Sequence, residues 1–78
     1  MKKIEYRGMT FQYDDSEFGK WSFQRKLSDA RGSKSVFIAA DALFGDADAV
    51  AEMLDDDAVM MGELVQACIA DMGEPEKN

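Results

Sequence analysis

With 78 residues, the chain is long enough for one domain, but a chain of this size buries a smaller fraction of its surface than a larger one. Hydrophobic residues make up 46% and charged residues 32%, which is a globular balance, and the single cysteine, Cys68, excludes a disulfide within the chain. Histidine is absent, which removes the commonest general base and the commonest transition-metal ligand. We therefore expect a protein that is not an enzyme, with no catalytic residue, cofactor or metal.

The formal net charge of −7 is distributed unevenly along the chain. Residues 1–35 hold eight basic and five acidic side chains, whereas residues 36–78 hold one basic and eleven acidic side chains. This asymmetry has three possible meanings: it steers a basic partner, it docks the basic half of one copy on the acidic half of another, or it only caps helices and keeps a small protein soluble.

Two classes of partner are disfavoured by composition. Affinity for nucleic acid depends on a positive field, and the sequence pI is about 4.3. No stretch approaches the roughly 20 apolar residues of a membrane helix, and the first residues, MKKIEYRGMTF, lack the apolar run of a secretion signal. We expect a cytoplasmic protein with neither a nucleic-acid nor a membrane partner.

The first segment alternates apolar and polar residues, which is typical of a half-buried strand. The apolar positions are Ile4, Tyr6, Met9, Phe11 and Tyr13. Arg7-Gly8 interrupts the alternation where a two-residue turn belongs. The pattern predicts a β-hairpin over residues 2–14, with strands at 2–7 and 9–14. An isolated hairpin is marginal in water, so it must pack on helices or pair with another chain through its free edges.

The following segment, EFGKWSFQRKLSDARG, has apolar residues on two sides. Phe23, Leu27 and Ala30 share one helical face, while Phe18 and Trp21 would project from the other side of the same helix. Either the helix begins near Trp21 and covers about 21–31, or it has two apolar faces. We expect Trp21 to pack beneath the hairpin. With two apolar faces it becomes an exposed contact residue, since tryptophan is a typical interface anchor.

Two shorter helices are predicted next. Ser33 or Ser35 caps a helix over 35–44, which Gly45 ends. Its predicted inner face comprises Val36, Phe37, Ala40, Leu43 and Phe44. Asp46 caps a helix over 47–54, whose predicted inward residues are Val50, Met53 and Leu54. Three consecutive aspartates at 55–57 lack the spacing and the glycine of an EF-hand loop, so we interpret them as helix caps.

The longest predicted helix covers residues 57–72. Its apolar residues recur at helical spacing along one face and comprise Met61, Leu64, Val65, Cys68, Ile69 and Met72. Asp55 and Asp56 lie where an N-cap belongs, and Gly73 lies where a left-handed residue would end the helix. The predicted fold class is α+β, mostly helical, with the hairpin packed on three to four helices in one domain over 1–73 and a polar tail over 74–78.

Methionine is frequent in the acidic half, at positions 53, 60, 61 and 72. Its flexible side chain adapts to different partners, which is why promiscuous peptide-binding surfaces use it. Met61 and Met72 lie on the apolar stripe and are expected to fill the core, whereas Met60 lies off it. We therefore predict Met60, together with Phe18 and Trp21, as partner-binding residues.

The chain carries, in order, the strand pair KKIEYRGMTFQYDD, the segment KSVFIAADALFGDADAV and the stripe ELVQACIADMG. In length, order and texture it resembles the small tail assembly chaperones of long-tailed (siphovirus-like) bacteriophages and prophages. The resemblance implies a homo-oligomer that coats the tape-measure protein and keeps it soluble until tail-tube subunits polymerise around it. It also implies that the tail-tube protein is a second partner and that no catalytic residues exist.

A second function remains open, that of an acidic regulatory or inhibitory module, for example a nucleic-acid mimic that binds a basic enzyme. The two functions differ in where they need the carboxylates. A mimic needs them in a regularly spaced exposed row, whereas a chaperone needs an apolar groove near them.

Overall fold

The computed structural model describes residues 1–73 except the side chain of Ser33, so the predicted polar tail lies outside the described residues. The strands are β1 (Lys2–Tyr6) and β2 (Met9–Tyr13), followed by a short 3₁₀ helix at Ser16–Gly19. The α-helices are α1 (Trp21–Asp29), α2 (Ser33–Phe44), α3 (Ala47–Met53) and α4 (Ala58–Gly73). The predicted α+β, mostly helical class is confirmed.

The hairpin forms as its alternation predicts and packs on the helices. Ile4 pairs with Phe11, and Tyr6 pairs with Met9, so the apolar residues of both strands share one face. Arg7 and Gly8 have φ values of 52° and 79°, as a two-residue turn of this twist requires. Strand β1 contacts α4 and strand β2 contacts α2, which places the apolar face against the helices.

The core lies between the hairpin, α2, α4 and the residue that follows α3. Its buried residues are Phe11, Tyr13, Ala39, Ala40, Leu43, Leu54, Leu64, Val65 and Cys68. The other members of the α4 stripe, Met61, Ile69 and Met72, are partly buried and pack against this cluster. The predicted stripe is therefore the core face of α4.

The helix boundaries confirm some predicted caps and correct others. Asp46 accepts a hydrogen bond from the Ala49 N–H at 3.1 Å, and Gly45 ends α2 with φ of 73°, both as predicted. The N-cap position of α2 is held by Gly32, so neither predicted serine occupies it. The Ser35 hydroxyl instead donates to the Gly32 carbonyl at 2.8 Å, because Ser35 already lies inside the helix.

The predicted bounds of α4 are confirmed to within one residue, but three of its predicted end residues are wrong. Asp57 is the capping residue, since its carboxylate accepts hydrogen bonds from the N–H groups of Val59 and Met60 at 2.9 and 3.0 Å. Asp55 and Asp56, the predicted caps, have φ values of 59° and 55° and turn the chain between α3 and α4. Gly73 remains within α4, and its φ is not positive.

Three bulky residues that were predicted to face inward are exposed. Trp21 is 79% exposed, Phe37 66% and Met53 53%. Trp21 begins α1, and that helix turns Phe23 inward in its place. Eight of the twelve residues of α2 are apolar, so the sequence pattern does not show which face of the helix is buried. The buried face contains Ala39 and Leu43, and Phe37 lies outside it. Met53 ends α3, and Leu54, one residue later, fills the core.

Two tyrosine hydroxyls attach the hairpin to α4. Tyr13 donates to the carboxylate of Asp71, and Tyr6 donates to that of Glu63. The Arg7 guanidinium reaches both the Tyr6 hydroxyl, at 3.1 Å, and the Glu63 carboxylate, at 3.6 Å. Burial, and then the hydrogen bond to Asp71, raise the pKa of Tyr13 well above its ordinary value.

Leu64→Asp is expected to remove a large part of the stability of the chain, because Leu64 is fully buried and the new carboxylate would have no partner. A buried unpaired charge costs about 3–5 kcal/mol. The whole free energy of unfolding at this length is roughly 4–12 kcal/mol. The control is Gln66→Asp, on the exposed side of the same helix. Urea denaturation followed by circular dichroism measures both. A Leu64→Asp chain with an unchanged midpoint would contradict the assignment of the core.

Tyr13→Phe is expected to lower the free energy of unfolding by about 1 kcal/mol near neutral pH, because Asp71 loses a hydrogen bond but remains exposed to water. An acid whose pKa is raised by folding contributes stability that is complete below its unfolded pKa, here about 10, and is lost as the pH rises towards the folded value. The stability gap between wild type and Tyr13→Phe should therefore narrow above pH 10. Cys68 is present in both chains, and its charge also contributes to the raised pKa of Tyr13.

Candidate protein-binding groove

A groove with a volume of about 620 Å³ opens between α2, α3 and the first turns of α4. Its uncharged lining residues are Val36, Phe37, Ala40, Ala47, Ala51, Ala58, Met61 and Gly62. Its charged lining residues are all acidic and comprise Asp41, Asp48, Asp56 and Asp57. The groove therefore combines an apolar lining with an acidic rim.

The sequence builds each wall of the groove in a different way. Helix α2 has more apolar residues than its buried face accommodates, so Phe37 remains in the groove. Helix α3 is short and contributes small side chains, Ala47 and Ala51, so the groove stays open on that side. The turn before α4 places Asp56 and Asp57 at the rim, and the Asp57 carboxylate also caps α4.

Gly62 lies inside α4 and lines the groove. A glycine in a helix interior costs about 0.5–1 kcal/mol relative to alanine. Neither the backbone nor the packing requires it here, because its φ is not positive and a Cβ atom would meet nothing within 4 Å. The missing side chain leaves space in the groove, and this is the one consequence of Gly62 that the fold displays.

A second surface depression of about 600 Å³ lies across α1 and the start of α2 and is basic. We call Trp21, Arg25, Lys26 and Lys34, which line it, the basic face. Asp29 is the one acidic residue that lines this depression. On α1, Trp21 and Arg25 lie opposite the side that carries Phe23 and Leu27, as helical spacing requires. The indole of Trp21 is its largest exposed apolar group.

The three predicted partner-binding residues do not form one surface. Trp21 belongs to the basic face, but Phe18 is partly buried, with its ring centroid 4.8 Å from that of Phe23. Met60 is partly buried against the core. Phe37, a groove residue that is 66% exposed, was missed because it was assigned to the inner face of α2. The signal that identifies it is the excess of apolar residues on that helix.

Among residues 1–73, no side chains cluster as metal ligands, and the one thiol is buried. Within that range, no three His, Cys, Asp or Glu side chains converge in a way that could hold a metal ion. Burial, and then the charge of Asp71, raise the pKa of the Cys68 thiol to about 11, so it stays protonated at neutral pH. In the same range, no helix has the length and apolar character needed to cross a membrane.

Comparison of the chain with models of known protein families, with curated proteins and with solved structures finds no match. The groove and the basic face are therefore interpreted from their own chemistry.

Gly62→Ala is expected to raise the free energy of unfolding by about 0.5–1 kcal/mol, because it removes the entropic cost of glycine without a steric clash. Urea denaturation measures the change. The matched control is Gly45→Ala, at a position whose φ of 73° is unfavourable for alanine, and it should lower stability. A Gly62→Ala chain that is less stable than wild type would mean that the fold itself needs this glycine.

Proposed function

We propose that this chain is a tail assembly chaperone of a long-tailed bacteriophage or prophage, and that its acid-rimmed groove binds helical segments of the tape-measure protein. The observation that carries the proposal is the apolar groove surrounded by Asp41, Asp48, Asp56 and Asp57. Apolar walls take the hydrophobic stripe of an amphipathic helix, and this mode of recognition recurs among helix-binding proteins. The carboxylates select stripes that are flanked by lysine or arginine.

The placement of the carboxylates favours the chaperone over the acidic mimic. They come from α2, α3 and the turn before α4, and they lie around an apolar depression. A mimic of nucleic acid would instead need a regularly spaced row with little apolar surface inside it. The groove gives a chaperone both the adaptable contact, through Met61, and the charge that keeps a loaded complex soluble.

The remaining features of the proposal follow from the same function. The chaperone acts in the host cytoplasm, where tails assemble, and performs no catalysis. It self-associates, several copies cover one long client, and they release that client when tail-tube protein polymerises. The client segments are amphipathic helices with basic flanks, whose apolar stripes would aggregate if they were left uncovered.

Phe37→Asp is expected to abolish the chaperone effect without unfolding the chain, because Phe37 lines the groove and is 66% exposed. The measurement is the soluble fraction of the tape-measure protein from the same genome, co-expressed with wild type or variant. Wild type should raise that fraction several-fold, whereas Phe37→Asp should leave it at the level without chaperone. The control is Met53→Asp, an exposed apolar residue that does not line the groove, and it should behave as wild type. If wild type leaves the fraction unchanged, the proposed function is wrong.

A further inference from the structure

We propose that the groove of one copy binds the basic face of a second copy, so that the free protein assembles head to tail and covers its own client site. The two surfaces are complementary in both charge and polarity. The groove presents four carboxylates around an apolar lining, and the basic face presents Arg25, Lys26 and Lys34 around the exposed indole of Trp21. The part that concerns the client rests on the proposed function, whereas the assembly does not.

The basic face has the chemistry that the groove selects. Arg25 follows Trp21 by one helical turn, so an apolar anchor and a cation project from the same side of α1. An exposed tryptophan gains most from burial in an apolar depression, and tryptophan and arginine are the commonest anchors of protein interfaces. Carboxylates at the rim then contact the guanidinium and ammonium groups once the indole is inside the groove.

The two surfaces leave each copy able to bind two neighbours. They share no lining residue, although both involve α2. The groove is lined there by Val36, Phe37, Ala40 and Asp41, and the depression that carries the basic face is lined by Lys34 and Ile38. A contact between two different surfaces is heterologous, so it extends into an open series or closes into a ring. Assembly therefore continues past the dimer as the protein concentration rises.

Self-assembly regulates the groove by competition. A client helix enters only when the basic face of the neighbouring copy leaves, so the apparent affinity for the client falls by the fraction of grooves that are already occupied. The free chaperone thereby covers its exposed apolar surface. A client helix that binds the groove more tightly than the basic face does displaces the neighbouring copy. Because the contact is largely ionic at its rim, salt weakens it.

The test uses two variants that each disable one surface. The face variant carries Trp21→Ala with Arg25→Glu, and the groove variant carries Asp41→Lys with Gly62→Leu, all at exposed or groove-lining positions. Sedimentation velocity in low salt should give wild-type oligomers that grow past the dimer with concentration and shrink at high salt. Each variant alone should bind itself at least tenfold more weakly, with unchanged circular dichroism. Mixed together they should form a 1:1 complex and no larger species, because one intact groove meets one intact face.

Several outcomes would overturn the proposal: a wild type that stays monomeric or stops at a dimer, a variant that still assembles, or a mixture that forms no complex. These measurements contain no client, so they do not depend on the co-expression result. The client arm titrates the face variant and wild type against equal amounts of client, and the face variant should raise client solubility at a lower concentration than wild type. If the assembly results hold but the dose is unchanged, the contact exists and the competition is wrong.

Discussion

The fold depends on the burial of one face of α4 beneath the hairpin and α2. Leu64, Val65 and Cys68 form the buried face of α4, and strands and helices from elsewhere in the chain must complete their cover. An isolated two-stranded hairpin is marginal, and the helices of a chain this short are marginal too, so each supplies the apolar surface that the other lacks. The hydrogen bonds from Tyr13 to Asp71 and from Tyr6 to Glu63 then fix where the hairpin lies on α4. This arrangement places the acidic side chains of α4 next to phenolic donors rather than next to each other.

The elements whose sequence pattern is compatible with only one arrangement of buried and exposed residues were predictable. Alternation around Arg7-Gly8 allows one hairpin register, and the stripe on α4 allows one buried face. The pattern failed where a segment is apolar on most sides. Helix α2 offers several residues of similar hydrophobicity, and only the position of the neighbouring helices decides that Ala39 is buried while Phe37 is exposed. The error at Trp21 has the same origin, because a large apolar side chain was assumed to need cover from its own chain.

The need for an apolar groove was predictable from the expected function, but the position of the groove in the fold was not. A chaperone needs an apolar groove near carboxylates, and the sequence pattern predicted its contacts at Phe18, Trp21 and Met60. Two of these three residues pack against other parts of the domain. The lining residues come from three helices and a turn, so no contiguous segment carries their pattern. Gly62 was a local signal that could have been used. A glycine inside an apolar helix destabilises that helix, so its presence indicates a role outside the helix.

The open groove follows from the size of the chain. A helix such as α2, with apolar residues on most of its circumference, is normally enclosed by several neighbours. Here the hairpin, α1 and α4 cover part of it, while α3 has only seven residues, several of them alanine, and cannot enclose the rest. The chain thus retains an apolar surface that it has too few residues to cover, and it surrounds that surface with aspartates that keep it compatible with water.

An exposed apolar surface bordered by charges of one sign attracts an apolar surface bordered by charges of the opposite sign. In the described residues, the basic face around Trp21 has that opposite character. The proposed client and the proposed second copy of the chain are, in this respect, the same kind of ligand.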